Sequence, residues 1–155
     1  MNKERDFYQV SLKLILKNSN EEILLVKTLP ENSGSNYYEL PGGRINTDEF
    51  TVPLTEILQR EISEEIGEVK YKLNPVPVAV ARHLIPANIT AKHKDIHVLY
   101  VIYEATYISG DITLSDEHPE FQWIDLIKND PEQYLNSGNL EGMRMYYSRK
   151  KTLTI

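Results

Sequence analysis

The sequence predicts an α/β protein, a mixed sandwich in which strands precede and follow an amphipathic helix and a second helix ends the chain. Two observations predict this class. Apolar and β-branched residues alternate or run together over Phe7–Lys17 and Glu22–Leu29, which is typical of two paired strands, and the turn-like NSNE separates them. From Pro53 to Ile66, apolar residues recur every three or four positions, which is typical of a helix with one buried face.

The rest of the chain contributes further strands and one more helix. The elements predicted by alternation and by turn residues are a loop over 30–36, strands at Tyr37–Leu40, Val76–Ile85, Ile96–Ile108 and Phe121–Ile124, and a last helix from about Asn139 to Lys151. Strands on both sides of a central helix are expected to form one sheet that the two helices cover.

Composition and charge limit the function classes. The chain has 155 residues, enough for one domain with its own core, and we expect a single domain over 1–155. No apolar run approaches the ~18 residues of a membrane helix, the charged start MNKERDFYQV is unlike a signal peptide, and cysteine is absent. We therefore expect a cytoplasmic protein with no membrane partner. The net charge of −6 argues against a nucleic acid polymer as partner and leaves a small anionic ligand held by local cations or a metal.

The helix predicted at Pro53–Ile66 carries three glutamates beside its apolar stripe. Glu61, Glu64 and Glu65 are spaced i, i+3 and i+4, so their carboxylates fall within an arc of roughly 100°. A solvated acidic face is the simplest interpretation of such a run, and the spacing of Arg60 and Glu64 fits it. Glu61 and Glu65, however, form a like-charge pair, which costs roughly 0.3 kcal/mol unless a cation lies between them. Clustered carboxylates are the ligands that hard divalent ions such as Mg²⁺ prefer.

Two adjacent glycines lie upstream of this helix. Gly42 and Gly43 permit close approach of a ligand or metal to the main chain. By themselves they are better explained as a tight turn after Pro41. Together with the glutamate helix, they indicate a ligand site between the loop and the helix. Proline suits the first turn of that helix, and Gly67 lies where a left-handed cap is expected.

The loop and the helix together resemble the signature of the Nudix hydrolase family. In that signature a glycine, five residues and a glutamate precede Arg-Glu-apolar-x-Glu-Glu-x-Gly, and here Gly43, Glu49 and the run REISEEIG (Arg60–Gly67) match in order. The preceding LPGG is similar to the family too, and the box spans about 43–67. Two features differ. Ten residues instead of seven separate Glu49 from Arg60, and Glu68 stands where an apolar residue is usual.

The resemblance implies a Nudix-type α/β/α sandwich with a mixed sheet between helices, and a site for Mg²⁺, or for Mn²⁺ in its place. The roles that it implies are metal ligation by Glu61, Glu64, Glu65 and the Gly42 carbonyl, support of the loop or the metal by Glu49, and orientation of a glutamate by Arg60. The family is often dimeric, which is the only support for a homodimer.

The implied reaction is hydrolysis of a pyrophosphate linkage in a nucleoside diphosphate joined to another moiety. The substrate is left open among a nucleoside triphosphate, a nucleotide sugar and a dinucleoside polyphosphate. The proton acceptor is also open, between Glu61 and the loop acid Glu117, with Glu120 as a competing loop acid. Glu64 and Arg60 complete the expected catalytic group. The alternative function is a non-catalytic module that senses a nucleotide, but such a module is expected to lose some of the box glutamates.

Candidate substrate-binding residues are basic or aromatic. Arg82, His83 and Lys92 lie on or after the strand that ends near Ile85 and are candidates to hold distal phosphates, with a solvated basic loop as the alternative. Tyr38 is a candidate to stack on a base, although strand aromatics more often pack in the core. Arg44, next to the glycine pair, completes this group of predicted substrate contacts.

Overall fold

The computed structural model describes residues 2–33 and 36–153 and confirms the α/β/α sandwich. In these residues the strands are β1 (Tyr8–Lys17), β2 (Ile23–Lys27), β3 (Tyr38–Glu39), β4 (Gly42–Arg44), β5 (Lys70–Leu73), β6 (Ala79–Ile85), β7 (Ile96–Ser109) and β8 (Phe121–Ile124). The helices are α1 (Pro30–Ser33), α2 (Leu54–Ile66) and α3 (Ser137–Leu153), and single 3₁₀ turns lie at Thr47–Glu49, Ala87–Ile89 and Pro131–Gln133.

Strand β1 organises the sheet because it has neighbours along both edges. It runs parallel to β7 along its whole length, with Tyr8 beside His97 and Lys17 beside Thr106. Its other edge is divided, since β4 pairs antiparallel with 11–13 and β2 pairs antiparallel at Lys17. The main strand order is β3-β2-β1-β7-β5, and β4, β6 and β8 attach to β1, β7 and β2. The sheet is therefore mixed, as predicted.

Alternation along β1 separates two hydrophobic cores. Its residues Leu12, Leu14 and Leu16 face one core, where they pack with the α2 stripe of Ile57, Leu58, Ile62 and Ile66. Ile15 faces the opposite core, together with Met143 and Tyr146 of α3. Because Ser11 and Lys13 share the face of Ile15, alternation places a buried lysine on the α3 side of the sheet. This lysine becomes part of the candidate site.

Several predicted boundaries change. The predicted strand Val76–Ile85 begins at Ala79, since Pro75 and Pro77 have no N–H to donate to a ladder. The strand predicted at Glu22–Leu29 covers Ile23–Lys27, and α3 begins two residues before its predicted start. The predicted loop 30–36 begins with the one-turn helix α1, and its residues 34 and 35 lie outside the described part.

Two short strands have no counterpart in the sequence analysis. They are β4, which contains the glycine pair, and β5, which pairs with the end of β7. Both are too short to show alternation, and their pairing partners are distant in sequence, so only the assembled sheet defines them. Within 2–33 and 36–153, no helix has the length and apolarity needed to cross a bilayer.

Candidate active site

A cleft of about 360 Å³ lies where β1, β4 and α2 meet β6 and the loop before β8. The predicted site residues that line it are Gly42, Arg44, Glu61, Glu65, His83 and Glu117. The structure therefore brings the two glycine-loop positions and the two helical glutamates together with one residue of β6 and one loop acid.

Glu61 lies directly over the backbone of Gly43. A Cβ atom added at Gly43 would stand 2.0 Å from Glu61 Oε2 and 2.3 Å from its Cδ, far inside contact distance. Only the missing side chain leaves room for this carboxylate. Burial raises the pKa of Glu61, and the Arg60 guanidinium opposes that rise. The Glu61 carboxylate is thus positioned at the cleft by its fit against the Gly43 backbone and by its ion pair with Arg60.

Glu65, one helical turn further along α2, is fixed by the neighbouring glycine. The Gly42 amide donates to Glu65 Oε2 at 2.9 Å, and Glu65 is buried. Gly42 itself has φ of 147°, and a Cβ there would stand 1.9 Å from the Leu12 carbonyl oxygen, so no other residue fits. The glycine pair therefore serves both glutamates, one by its N–H and one by its lack of a side chain.

Arg60 of α2 contacts three carboxylates, those of Glu49, Glu61 and Glu64. Its Nη2 donates to Glu49 Oε2 at 2.8 Å and lies 3.0 Å from Glu61 Oε1, while Nη1 donates to both oxygens of Glu64 at 3.1 Å. The neighbouring acids raise the pKa of Arg60, Glu49 first among them. Glu64 is largely exposed and does not line the cleft. The arrangement orients Glu61 while turning Glu64 towards solvent.

Glu49 reaches Arg60 in spite of the three extra residues between them. The Asn46 amide donates to Glu49 Oε1 at 2.9 Å, which closes a capping box around the 3₁₀ turn. This bond, followed by the Arg60 guanidinium, lowers the pKa of Glu49. The segment 50–53 connects this turn to α2, and the ion pair between Glu49 and Arg60 forms across it.

A buried lysine and a glutamate that sequence reasoning missed form the floor of the cleft. Lys13 is 5% exposed, donates to the Leu40 carbonyl at 3.1 Å and lies 3.6 Å from Glu39 Oε2. Its ammonium also lies 5.3 Å from the centre of the Tyr100 ring. Burial disfavours the charge of Lys13, but Glu39, Tyr100 and Glu65 outweigh it and raise the pKa of this lysine.

The loop between β7 and β8 is tied to the end of α2. The amides of Thr113 and Ser115 donate to the carbonyls of Ile66 and Glu65, at 2.9 and 3.0 Å. These bonds use two carbonyls that the end of a helix leaves without partners. They place the following segment, with Glu117 and His118, beside the helical glutamates.

The two competing loop acids have different positions. Glu117 lines the cleft, whereas Glu120 accepts a hydrogen bond from the Tyr38 hydroxyl at 2.8 Å. The backbone of Glu120 is committed as well, since its carbonyl accepts from the Lys27 amide at 2.8 Å. Of these two acids, only Glu117 lines the cleft.

His118 is a third residue that the sequence analysis missed. Its Nδ1 lies 2.8 Å from the Lys27 carbonyl, and its Nε2 lies 3.3 Å from Glu65 Oε1 and 3.8 Å from Glu39 Oε1. Burial opposes a charge on this ring, but Glu65 and the Lys27 carbonyl outweigh burial and raise the pKa of His118. One possible ligand atom from each of Glu39, Glu65 and His118 lies within 4.8 Å of the other two. The signal in the sequence for His118 is the run DEHPE, in which acids stand on both sides of the histidine.

The predicted substrate contacts divide between the cleft and other surfaces. His83 faces the cleft and stacks on Tyr100, with ring centres 5.3 Å apart and planes 19° apart. Burial, followed by the charge of Lys13, lowers the pKa of His83 to about 4. Arg44 also lines the cleft and donates to Gln9 at 2.7 Å.

The other three predicted contacts lie elsewhere. Arg82 points away because it alternates with His83 along β6, and it is exposed. Lys92 lines a separate cleft beside the N-terminal segment. Tyr38 belongs to the core on the α3 side. The structure does not bring these three side chains to the lining of the glutamate cleft.

Comparison with known proteins agrees with this architecture. The family model for the NUDIX domain matches residues 7–144. The nucleoside triphosphatase NudI of Salmonella typhimurium is 25% identical over 108 residues, which cover 68% of this chain and 74% of NudI. The crystal structure of the MutT protein from Methanosarcina mazei superposes with a TM-score of 0.67 at 23% identity and covers 98% of this chain and 99% of that one.

A further solved relative was crystallised with a nucleotide. The Nudix domain of Shewanella oneidensis NrtR, in complex with ADP-ribose, has a TM-score of 0.64 at 14% identity and covers 96% of this chain and 90% of that one. Because the family model spans most of the chain, and the glycine loop and glutamate helix of the cleft lie within it, the chain belongs to the Nudix family and is a pyrophosphohydrolase of nucleoside diphosphate derivatives.

Proposed function

We propose that the chain hydrolyses a nucleoside triphosphate with the help of a divalent cation, Mg²⁺ or Mn²⁺, bound by the glutamates of α2. The observation that carries the proposal is the seating of Glu61 against Gly43 while Glu65 accepts from the Gly42 amide. Two carboxylates of one helix thereby meet a stretch of backbone without side chains at the edge of a cleft. Hard oxygen donors of this kind fit Mg²⁺.

The residues proposed to hold the cation follow from this arrangement. Glu61 and Glu65 supply carboxylate oxygens, the Gly42 carbonyl supplies a main-chain oxygen, and Glu64 contributes directly or through water. Glu49 acts indirectly, because it holds Arg60, and Arg60 in turn holds Glu61. When bound, the cation neutralises the phosphate oxygens and lowers the pKa of the attacking water.

The remaining chemistry belongs to the protein side chains. Water attacks one phosphorus of the pyrophosphate linkage, the bond from that phosphorus to the bridging oxygen breaks, and the bridging oxygen leaves with the other phosphate. A carboxylate must accept the proton of the water. Glu117 and Glu61 both line the cleft and are the two candidates for this role. The raised pKa of Glu61 suits a group that takes up a proton, and its contact with Arg60 limits that rise.

The opposite wall of the cleft suits the nucleoside. His83 and Tyr100 form a stacked pair, and Ile85, Pro86 and Val98 add apolar surface beside it. A flat, largely neutral wall favours a base or ribose, and Arg44, which also lines the cleft, is the proposed phosphate contact. Among the three substrate classes, we favour the nucleoside triphosphate because the curated relative NudI is named as a nucleoside triphosphatase.

The test is a panel of nucleoside triphosphates, nucleotide sugars and dinucleoside polyphosphates, with Mg²⁺ or Mn²⁺, in which products are separated by chromatography. We expect a nucleoside monophosphate and pyrophosphate from one or more triphosphates, and no turnover in the presence of a chelator. Glu61→Gln should lower kcat/KM by about 100-fold or more. Glu56→Gln, an exposed change on the same helix, is the matched control and should keep wild-type rates.

Three outcomes would contradict the proposal. Turnover of a nucleotide sugar or a dinucleoside polyphosphate, with triphosphates untouched, would keep the hydrolase and reject the substrate. Nucleotide binding by calorimetry without turnover of any substrate by any metal would instead favour a sensing module. Equal rates in Glu61→Gln and in wild type would show that the helix glutamates do not hold the catalytic cation.

A further inference from the structure

Three atoms from different parts of the chain converge on one small space beside the cleft. His118 Nε2 lies 3.3 Å from Glu65 Oε1 and 3.8 Å from Glu39 Oε1. A ligand atom of each of the three residues lies within 4.8 Å of those of the other two. Glu39 ends β3, Glu65 lies in the last turn of α2 and His118 comes from the loop before β8, so only the fold assembles the group.

Each carboxylate of this group uses its other oxygen for support. Glu65 Oε2 accepts from the Gly42 amide at 2.9 Å, and Glu39 Oε2 lies 3.6 Å from the ammonium of Lys13. In both residues the Oε1 atom is the one that faces His118. The two acids are therefore oriented before any ligand arrives.

The tautomer of His118 is fixed by the same kind of support. Its Nδ1 lies 2.8 Å from the Lys27 carbonyl, which can only accept, so Nδ1 carries the proton and donates. A neutral ring with this tautomer presents a lone pair at Nε2. Histidines that bind metals commonly donate their other ring nitrogen to a backbone carbonyl in this way.

A lone pair facing two carboxylates requires a positive charge between them. A proton on Nε2 is one solution, but the side chain is 4% exposed and, among the described residues, Nε2 has no hydrogen-bond partner of acceptable geometry. A buried N–H would then lack an acceptor in line with it. A metal ion is the other solution, because it accepts donor atoms from several directions.

We propose that Glu39, Glu65 and His118 form a divalent-metal subsite with one nitrogen ligand, which prefers Zn²⁺ and similar borderline ions to Mg²⁺. An ion with bonds of about 2.1 Å holds neighbouring ligand atoms ~3.0–3.4 Å apart, so small side-chain movements close the observed group around it. Imidazole nitrogen favours Zn²⁺, whereas sites of oxygen alone suit Mg²⁺.

The surroundings of this group give an ion access from solvent and carry charges that balance it. Glu39 and Glu65 line the cleft, so an ion reaches the group from solvent through that opening, while His118 closes the far side. Two carboxylates facing a neutral imidazole leave a local charge that Lys13 offsets only in part. Lys13 contacts the oxygen of Glu39 that faces away from His118, so it does not occupy the subsite.

This subsite goes beyond the proposed function, since it needs neither Glu61 nor a substrate. It shares only Glu65 with the proposed site of the catalytic cation. Binding of Zn²⁺ there would draw Glu65 towards His118, so we expect Zn²⁺ to inhibit hydrolysis that Mg²⁺ supports. The subsite is nevertheless tested without any enzymatic assay.

The direct test observes the histidine ring. The ¹⁵N-labelled full chain is freed of metal with a chelator, exchanged into chelator-free buffer near neutral pH and titrated with Zn²⁺, and long-range ¹H–¹⁵N spectra report both ring nitrogens. The chain has 4 histidines, so single variants assign the signals. We expect one equivalent of Zn²⁺ to move the Nε2 signal of His118 and to leave His93 and His97 unchanged. An Nε2 signal of His118 that does not move at saturating Zn²⁺ would overturn the proposal.

A variant with a matched control measures the affinity. His118→Asn keeps an N–H for the Lys27 carbonyl and removes the ligand nitrogen, and His93→Asn makes the same change at an exposed loop position. By calorimetry, His118→Asn should weaken Zn²⁺ binding by at least about tenfold and leave Mg²⁺ binding within about twofold, while His93→Asn changes neither. Equal Zn²⁺ affinity in wild type and His118→Asn would refute the subsite.

The two proposals fail separately. If no nucleotide is hydrolysed with any metal but Zn²⁺ still moves the His118 signal, the proposed function is wrong and the subsite stands. If hydrolysis depends on Glu61 but Zn²⁺ leaves His118 unaffected, the subsite is wrong and the function stands. Should His118→Asn fail to fold, the spectra of the wild-type chain decide the question without it.

Discussion

Replacing Gly43 by alanine tests whether the position of Glu61 governs activity. The added Cβ would stand 2.0 Å from Glu61 Oε2, and ordinary contact begins at 3.4 Å, so this oxygen must move by about 1.4 Å. The atom that must yield is the far end of a side chain, and the backbone of Gly43 does not have a positive φ. The fold should therefore accept alanine, while the carboxylate loses its place.

The expected magnitude follows from that displacement. A shift of about 1 Å in a catalytic group can cost about 100-fold in rate, so kcat/KM of Gly43→Ala should fall by about 100-fold, or about 2.7 kcal/mol. The free energy of unfolding should change by less than about 1 kcal/mol. The assays are steady-state hydrolysis of the substrate found in the panel, with saturating Mg²⁺, and urea denaturation.

Gly142→Ala is the matched control, because the added methyl group there should lower stability and leave activity unchanged. A Cβ at Gly142 would stand 2.2 Å from Ile102 Cδ1, and Ile102 is fully buried in the core on the α3 side of the sheet. We expect a loss of about 1–2 kcal/mol in the free energy of unfolding and an unchanged kcat/KM. If Gly43→Ala retains more than about a third of the wild-type kcat/KM, the close contact with Glu61 does not set the catalytic geometry.

Three further perturbations follow from the same contacts. Lys13→Met leaves Glu39 and the Leu40 carbonyl without their buried cation. It should lower the free energy of unfolding, measured in urea, by about 2–3 kcal/mol, which is less than for a fully buried ion pair because Glu39 is partly exposed. A loss under about 0.5 kcal/mol would contradict this. Arg60→Gln frees Glu61 and should lower kcat/KM by about tenfold in the same assay; an unchanged rate would show that Glu61 needs no such support. The pKa of His83 is lowered from 6.5 to about 4, so the unfolded chain takes up this proton first. The stability that neutral His83 contributes is complete above pH 6.5 and is lost as the pH falls towards 4. The wild-type protein should therefore lose more stability than His83→Gln on acidification. Equal pH profiles of the free energy of unfolding would refute this assignment.

The helix and its glutamates could be predicted because their signal is local. Apolar residues at helical spacing define the buried face of α2, and the positions of Glu61 and Glu65 relative to that face follow from the helix geometry alone. The structure places both at the cleft. The same reasoning could not separate them from Glu64, because one arc contains all three. The contact of Arg60 with Glu64 on the solvent side makes that separation.

The sequence left the effect of the insertion undecided, and the contacts of Glu49 now describe it. Counting residues between Glu49 and Arg60 gave no distance, since a loop of given length can span many separations. The capping bond from Asn46 and the segment 50–53 keep Glu49 within 2.8 Å of the guanidinium.

By itself, the sequence determined the α/β class, the amphipathic helix and the family signature, because periodicity and motif spacing depend on neighbours along the chain. Only the tertiary structure decided that Lys13, Glu39 and His118 surround Glu65. These residues lie on a central strand, on an outer strand and in a distant loop, and no local pattern relates them. Strand pairing and the bonds that tie the last loop to α2 bring them together, and both are contacts between segments far apart in sequence.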